Sequence, residues 1–311
     1  MPDVELAAAA DPDLERARRA APRAYSTPEE MLDAERLDFV DIATRPDSHA
    51  ALVRLAASRK IPVICQKPMA PNWADAVGMV DAAEAAGIPF MIHENWRWQP
   101  WYRALKSLID RGEIGQPIDY WFRTRRNDGR GPAPYSLQPY FAQMPRLLIY
   151  ETLVHHIDTA RFLFGDLEAI YAQTRRRNPV IAGEDQVLLM LTHADLSGVI
   201  DGHRFLDPDP DGPVMGQATV EGESGVLRLL GTGDIFRGCE KIWTNDVLEG
   251  YRGDSVRATQ QHFVDCLRTG VPFESGGREY LKTFRAVEAA YESVAGRRAI
   301  PLGAPVGETA L

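Results

Sequence analysis

A glutamate and a histidine stand four residues apart in the segment Glu151-Thr152-Leu153-Val154-His155-His156-Ile157-Asp158. On a helix, residues at this spacing share a face, so we expect the Glu151 carboxylate to lie next to the His155 imidazole. Such a carboxylate fixes the tautomer of the histidine and raises its basicity, which suits proton transfer. Two alternatives stay open: helix histidines satisfied by neighbours, or a metal site that uses Glu151, His155 and Asp158. We predict no metal, because the zinc-protease motif of two histidines four apart is absent.

A lysine follows an apolar run in Cys65-Gln66-Lys67-Pro68. If residues 61–65 form a buried strand, Lys67 lies at the carboxyl end of that strand, where open α/β sheets bind their ligands. A lysine held in a cleft beside a bound cation gives up its proton readily, so Lys67 is a candidate general base. The alternative is a solvated surface lysine.

Two more strand ends carry polar residues. Asp11 ends the apolar run 4–10, and Thr44-Arg45-Pro46-Asp47-Ser48-His49 follows the run 39–43. An acid at the end of the second strand of a dinucleotide-binding unit accepts hydrogen bonds from ribose hydroxyls and repels a 2′-phosphate. Asp11-Pro12 is also a good helix start, and segment 44–49 could be a plain strand-to-helix turn.

The elements that must position these residues differ between the two halves of the chain. Residues 1–115 alternate strand and helix patterns, which predicts parallel strands joined by crossover helices. Thr27-Pro28-Glu29-Glu30 predicts a capped helix start. The predicted strands here are 4–10, 39–43, 61–65 and 89–93, and the other predicted helices are 14–21, 46–59 and 73–86.

After Gly115 the strand patterns follow one another and are joined mostly by turn residues, which predicts a mostly antiparallel sheet. The predicted strands are 120–126, 169–174, 186–192, 198–205, 217–220 and 226–230, and the predicted helices are 149–164, 256–268 and 280–295. We therefore predict an α/β domain over residues 1–115 and an α+β domain over residues 116–311. Apolar residues on consecutive positions of two of these strands, 187–191 and 226–230, predict a covered outer face, and hence a homodimer or homotetramer.

Composition narrows the classes of partner. The 311 residues carry a formal net charge of -9, which argues against nucleic acid, since a phosphate backbone requires a basic face. No apolar run approaches the ~20 residues that span a bilayer. The three cysteines, Cys65, Cys239 and Cys266, are sparse and unpaired by spacing, which predicts a reducing cytoplasm.

Taken together, these motifs resemble those of the Gfo/Idh/MocA family, named for glucose–fructose oxidoreductase, inositol dehydrogenase and rhizopine catabolism. The resemblance runs from about residue 4 to about residue 302. The segments that carry it are Ala8 to Asp13, Asp38 to His49, Val63 to Pro68, Arg97 to Pro100, Gly112 to Gly115, Glu151 to Asp158, 263–270 and 289–293. His93 to Trp101 and Gln138 to Phe141 are similar to the D-apiose dehydrogenase branch of the family.

The resemblance implies a Rossmann domain that binds NAD, with NADP less favoured, a substrate-binding and oligomerisation domain, and an active site between them. It implies oxidation of a hydroxyl of a small sugar or polyol by hydride transfer. Lys67 is the first choice for the base or relay, His155 is the alternative, and Glu151 orients His155. The residues expected to contact the cofactor are Asp11, Thr44, Arg45, His49, Gln66, Lys67 and Asn95, and those expected to contact the substrate are Arg97, Tyr140 and His156.

Two departures from the family pattern leave the proton path open. Gln66 replaces the usual glutamate and removes a charge beside Lys67, and Glu151 replaces the usual aspartate with a side chain one methylene longer. A non-catalytic sugar- or cofactor-binding regulator on the same fold is the alternative function. Lys67 and His155 argue against it, whereas Gln66 and the absence of a glycine-rich loop before Asp11 argue for it.

A third departure concerns the phosphate-binding loop. A Rossmann unit opens with a strand, a glycine-rich turn and a helix, but the chain has no glycine before Gly78. We therefore expect the run 4–10 to be the second strand of the unit. A family member should carry about 25–35 further residues before it, the length of one strand, loop and helix.

Overall fold

The protein, described as a computed structural model over residues 1, 4–208, 210–247 and 249–303, divides into two compact units. The first comprises Met1–Glu94 and Arg257–Leu281, and the second comprises Asn95–Val256 and Lys282–Leu311. The chain therefore leaves the first unit, builds most of the second and returns. This return is not visible in the hydrophobic pattern, which had placed the whole C-terminal part in one domain.

The first unit contains short parallel strands separated by helices. The elements in chain order are β1 (Ala8–Ala10), α1 (Leu14–Ala20), β2 (Arg23–Tyr25), α2 (Pro28–Ala34), β3 (Val40–Ile42), α3 (Pro46–Ser58), β4 (Val63–Gln66), α4 (Trp73–Ala86) and β5 (Phe90–His93). β1 pairs with β2, and β3, β4 and β5 form a second parallel sheet in that order. The expected alternation of strands and helices is confirmed. β2 was not predicted from the sequence, because a three-residue strand leaves almost no periodic signal.

Local sequence signals set the helix ends of this unit. The hydroxyl of Thr27 accepts a hydrogen bond from the Glu30 amide at 3.3 Å, with Pro28 in the first turn, as the capping sequence predicts. α4 ends at Gly87, whose φ of 67° lies in the left-handed region that glycine adopts at little cost. These signals are local in sequence, which is why they could be predicted.

The second unit is built on a nine-stranded sheet. Its elements are α5 (Pro100–Asp110), β6 (Pro117–Arg125), α6 (Val154–Phe164), β7 (Ala169–Arg175), β8 (Gln186–Thr192), β9 (Ser197–His203), β10 (Gln217–Gly222), β11 (Gly225–Leu229), β12 (Ile235–Arg237), β13 (Glu240–Trp243) and β14 (Ile300–Pro301). Two helices lie between β13 and β14 in the chain: α7 (Ser255–Thr269), which belongs to the first unit from Arg257 onward, and α8 (Gly277–Gly296), which belongs to the second unit from Lys282 onward. The strand order is β13-β12-β11-β10-β6-β9-β8-β7-β14. All neighbours are antiparallel except β6 and β9. The predicted antiparallel sheet is confirmed, and β12 to β14 extend it at its edges.

Each unit has its own buried core. In the first, Ile64 and Met91 are fully buried and pack with Phe263 and Val264 of α7. In the second, Tyr120 on β6 stacks against Phe164 at the end of α6, with ring centroids 4.6 Å apart. Among the described residues, no helix combines the length and the apolar character that crossing a membrane requires.

Candidate active site

Asp11 follows β1 directly and keeps a partly exposed carboxylate. One oxygen, Oδ1, accepts a hydrogen bond from the Asp13 amide at 2.8 Å, while the guanidinium of Arg16 lies 3.6 Å from Oδ2. The side chain is 29% exposed, so Oδ2 can be reached by a further donor. A carboxylate at the end of a parallel strand with an accessible oxygen fits the hydroxyls of a ribose.

The turn after β3 is held by a buried histidine. His49 is completely buried, with Nδ1 3.1 Å from the carbonyl oxygen of Met69 and Nε2 3.1 Å from that of Thr44. Burial lowers the pKa of His49, so the ring is neutral at neutral pH and donates to one carbonyl at a time. His49 therefore ties the turn after β3 to the turn after β4. The other two predicted cofactor residues of this turn, Thr44 and Arg45, are exposed.

The end of β4 changes from buried to accessible within two residues. Cys65 is fully buried, and burial raises the pKa of its thiol well above the usual value. Gln66 and Lys67 are half-buried, and Pro68 is buried again. Lys67 is thus neither enclosed in the core nor a fully solvated surface lysine. The proton-transfer role of Lys67 stays a prediction.

Glu151 lies in a wider helical turn than the sequence predicts. Leu148–Leu153 form a π-helix that runs directly into α6. The buried carboxylate of Glu184 accepts hydrogen bonds from the amides of Leu147 at 3.2 Å and Ile149 at 3.0 Å, and so satisfies the start of this turn. Single π-turns occur frequently at functional sites. Within the turn Glu151 is half-buried and its neighbours are buried, so Glu151 is the most accessible residue of the turn, and its catalytic role stays a prediction.

His155 is 4% exposed in the first turn of α6 and lies flat against an indole ring. The ring centroids of His155 and Trp96 are 4.3 Å apart and the planes are 16° from parallel. The hydroxyl of Thr159 donates to the carbonyl oxygen of His155 at 2.8 Å. Sequence reasoning missed Trp96 as a site residue. The only signal was the tryptophan-rich run that it shares with Trp98 and Trp101.

The neighbouring His156 faces β6. Its Nε2 lies 2.7 Å from the hydroxyl of Thr124, and only 1% of the residue is exposed. Burial, helped by His155, lowers the pKa of His156 to about 3, so this ring is neutral at physiological pH. The predicted contact between His156 and the substrate stays a prediction, since Thr124 uses one of its two nitrogens.

Arg97, a predicted substrate ligand, forms a buried ion pair with Asp158. The distances are 2.8 Å from Nε to Oδ2 and 2.7 Å from Nη2 to Oδ1, and Thr283 donates to the same carboxylate at 3.0 Å. Asp158 is completely buried and Arg97 is 6% exposed. A bidentate pair of this kind orients the short turn Trp96–Trp98 on α6. The predicted contact of Arg97 with the substrate remains untested.

The other two predicted ligands differ in exposure. The Asn95 amide donates to the hydroxyl of Ser255 at 3.0 Å and is buried. Tyr140 is 44% exposed beside Phe141 in the loop after β6, so it remains accessible to a ligand. In the described parts of the chain, no group of three or more histidine, cysteine, aspartate or glutamate side chains could hold a metal ion.

Comparison with known proteins identifies the family to which this chain belongs. Residues 1–94 match the oxidoreductase family with an NAD-binding Rossmann fold, and residues 102–228 match the GFO/IDH/MocA C-terminal domain. The chain belongs to the Gfo/Idh/MocA family of NAD-binding oxidoreductases. The predicted family, the two fold types and the NAD-dependent oxidation of sugars or polyols are thereby confirmed.

Two curated relatives and one solved structure are especially similar. The D-apiose dehydrogenase of Paraburkholderia graminis is 38% identical over 96% of this chain and 83% of its own. That of Rhizobium rhizogenes is 36% identical over 86% of this chain and 80% of its own. The crystal structure of an oxidoreductase from Agrobacterium radiobacter in complex with NAD+, L-tartaric acid and magnesium is 34% identical. It covers 96% of this chain and 91% of its own, with a TM-score of 0.85.

Proposed function

We propose that the protein oxidises a hydroxyl of a small sugar, with D-apiose the first candidate, and that Lys67, His155 and Glu151 manage the proton. The observation that supports the substrate is the 36–38% identity to two D-apiose dehydrogenases across most of both chains. The solved relative that holds L-tartaric acid supports a site for small molecules with adjacent hydroxyl groups. When bound, NAD supplies the acceptor for the hydride that leaves the carbinol carbon.

The residues of this chain supply placement and proton transfer. The half-buried Lys67 accepts the hydroxyl proton as the carbinol carbon becomes a carbonyl carbon, with His155 as the alternative base or relay. His155 is suited to this because Trp96 fixes the plane of its ring. We assign to Glu151 the orientation of His155, which follows it by four residues in the chain.

The accessible groups divide between cofactor and substrate. We assign Asp11 to the ribose hydroxyls of NAD, with Thr44, Arg45 and Gln66 as further contacts, because they lie at the carboxyl ends of β1, β3 and β4. We assign Tyr140 to a substrate hydroxyl because its phenol is 44% exposed. The buried His49 does not contact the cofactor in this assignment but holds the turn that carries Thr44 and Arg45.

We also propose a homo-oligomer formed through the outer face of the nine-stranded sheet. Trp121, Val199 and Met190 lie opposite one another on the adjacent strands β6, β9 and β8. Trp121 is 47% exposed, Met190 52% and the nearby Leu188 38%, so an apolar row crosses the face. Exposed apolar patches of this kind mark protein interfaces. The free thiols of Cys65, Cys239 and Cys266 support a reducing, cytoplasmic location.

The experiment that tests the function is a substrate panel. The purified protein is incubated with NAD and with D-apiose, other pentoses, hexoses, myo-inositol and L-tartrate, and NADH formation is followed by absorbance. We expect the highest kcat/KM with D-apiose. Reduction of NAD by polyols but by none of the sugars would contradict the sugar assignment. No NAD reduction with any compound, despite binding of D-apiose measured by calorimetry, would favour a sugar-binding regulator.

A further inference from the structure

The hydroxyl of Thr152 contacts the carboxylate next to it in the chain. Thr152 Oγ1 donates a hydrogen bond to Oε2 of Glu151 at 2.8 Å. Thr152 is 4% exposed, whereas Glu151 is half-buried. The contact therefore joins a side chain that cannot move freely to one that reaches toward solvent.

A buried arginine sets the direction of that hydrogen bond. Arg204 Nη1 lies 3.2 Å from Thr152 Oγ1, and the residue is 6% exposed. A guanidinium can only donate, so the hydroxyl accepts from Arg204 and its single proton is left for Glu151. The positive charge behind the hydroxyl also strengthens its bond to the carboxylate.

Arg204 itself is held on two other sides. Its Nε and Nη2 donate to the two carboxylate oxygens of Asp128 at 2.8 and 2.9 Å, and its guanidinium lies 5.2 Å from the ring centroid of Tyr135. The backbone amides of Tyr135 and Gly129 donate to the carbonyl oxygens of Asp128 and Arg204. The loop after β6 is thus closed around the same guanidinium that reaches Thr152.

We propose that Thr152 and Arg204 are positioning residues for Glu151, and that the chain Asp128–Arg204–Thr152 holds its carboxylate in one orientation. The proposal rests on the function proposed for Glu151 and adds residues to which no role has been assigned. Glutamate has one more rotatable bond than aspartate, so a fixed carboxylate needs a tether. The hydroxyl of Thr152 provides this tether on Oε2.

The primary test compares Thr152→Val with Thr152→Ser. Valine keeps the shape and loses the hydroxyl, whereas serine keeps the hydroxyl. We expect Thr152→Val to lower kcat about tenfold, the scale of one hydrogen bond to a charged group, with the KM for NAD unchanged. Thr152→Ser should retain at least half of the wild-type kcat. If Thr152→Val does not fold, as judged by circular dichroism, Thr152→Ala replaces it, since the smaller side chain leaves room for a water molecule beside Arg204.

A double-mutant cycle then shows whether Thr152 acts through Glu151. Glu151→Gln alone should lower kcat strongly, and adding Thr152→Val to Glu151→Gln should change the residual kcat less than twofold. An equal loss from Thr152→Val in both backgrounds would overturn the positioning role. So would a wild-type kcat for Thr152→Val, with Glu151→Gln still impaired, and in that case the proposed function would stand. Full activity of Glu151→Gln would overturn the function of Glu151 and the positioning role together.

Discussion

Trp96 and His155 are stacked in nearly parallel planes, with ring centroids 4.3 Å apart. Trp96 precedes α5 and His155 lies in the first turn of α6, so the contact joins two segments that are distant in sequence. Stacking against the indole restricts rotation of the imidazole out of its plane.

We predict that Trp96→Leu lowers kcat about three- to tenfold, because stacked aromatic pairs contribute about 0.5–1.5 kcal/mol beyond burial. Trp96→Phe, which preserves a stacked ring, should lower kcat less than Trp96→Leu does. Steady-state kinetics with NAD and the best sugar measure both. Trp243→Leu, on the edge strand β13, is the control and should leave kcat unchanged. A wild-type kcat for Trp96→Leu would show that the stacking does not orient His155.

Lys67→Met should lower kcat by at least ~100-fold, the usual scale of a general base. The variant keeps the apolar stem of the side chain, so the far-ultraviolet circular dichroism spectrum should not change. Lys60→Met is the matched control, since Lys60 is exposed in the same unit and donates to the carbonyl oxygen of Ala86 at 2.7 Å. If Lys67→Met kept a near-normal rate at neutral pH, the base would have to be His155.

Asp11→Asn should raise the ratio of kcat/KM for NADP to that for NAD by at least about tenfold. The carboxylate repels a 2′-phosphate, and once it is neutral Arg16, 3.6 Å away, is left to attract one. Asp13→Asn is the control, because Asp13 caps α1 through the amides of Glu15 and Arg16. Equal use of both cofactors by the wild-type protein would refute the assignment of Asp11.

Met190→Glu should convert the oligomer into a monomer, because it places a charge within the exposed row formed with Trp121 and Val199. Light scattering at micromolar concentration measures the mass of both forms. Leu137→Glu, at a residue that is 95% exposed in a loop, should leave the mass unchanged. A wild-type protein that is already monomeric would contradict the proposed interface.

His156 should make the fold acid-sensitive. Its pKa is lowered to about 3 in the folded protein and is near the ordinary 6.5 when unfolded, so the unfolded chain binds the extra proton between these values. The free energy of unfolding therefore falls as pH decreases through this window, by up to about 1.4 kcal/mol per pH unit for one proton. Urea titrations between pH 6.5 and 4 measure this free energy. It should fall less steeply with pH in His156→Gln than in the wild-type protein. Part of the pH dependence should remain in the variant, because the pKa values of His49 and His193 are also lowered. The same pH dependence in the variant and the wild-type protein would contradict the lowered pKa of His156.

The sequence by itself determined the family, the order of most helices and strands, and the residues at the strand ends. These features depend on local signals: the cap at Thr27, the glycine at Gly87, and polar residues such as Asp11 and Lys67 that directly follow apolar runs. The predicted helix 149–164 ends at Phe164 as α6 does, but its first turn is the π-helix Leu148–Leu153. Such signals act over a few residues, so they can be read without knowledge of the fold.

Only the tertiary structure decided what the buried polar groups contact. Arg97 is paired with Asp158, and Arg204 reaches Thr152 across 52 positions of sequence. The π-turn at Glu151 and its buried cap, Glu184, likewise depend on groups that the fold brings together. A buried charge must find a partner, because leaving it unpaired costs several kcal/mol, about 3–5 when one member of a pair is removed. Which partner it finds is set by chain topology, and residue types and spacing do not contain that information.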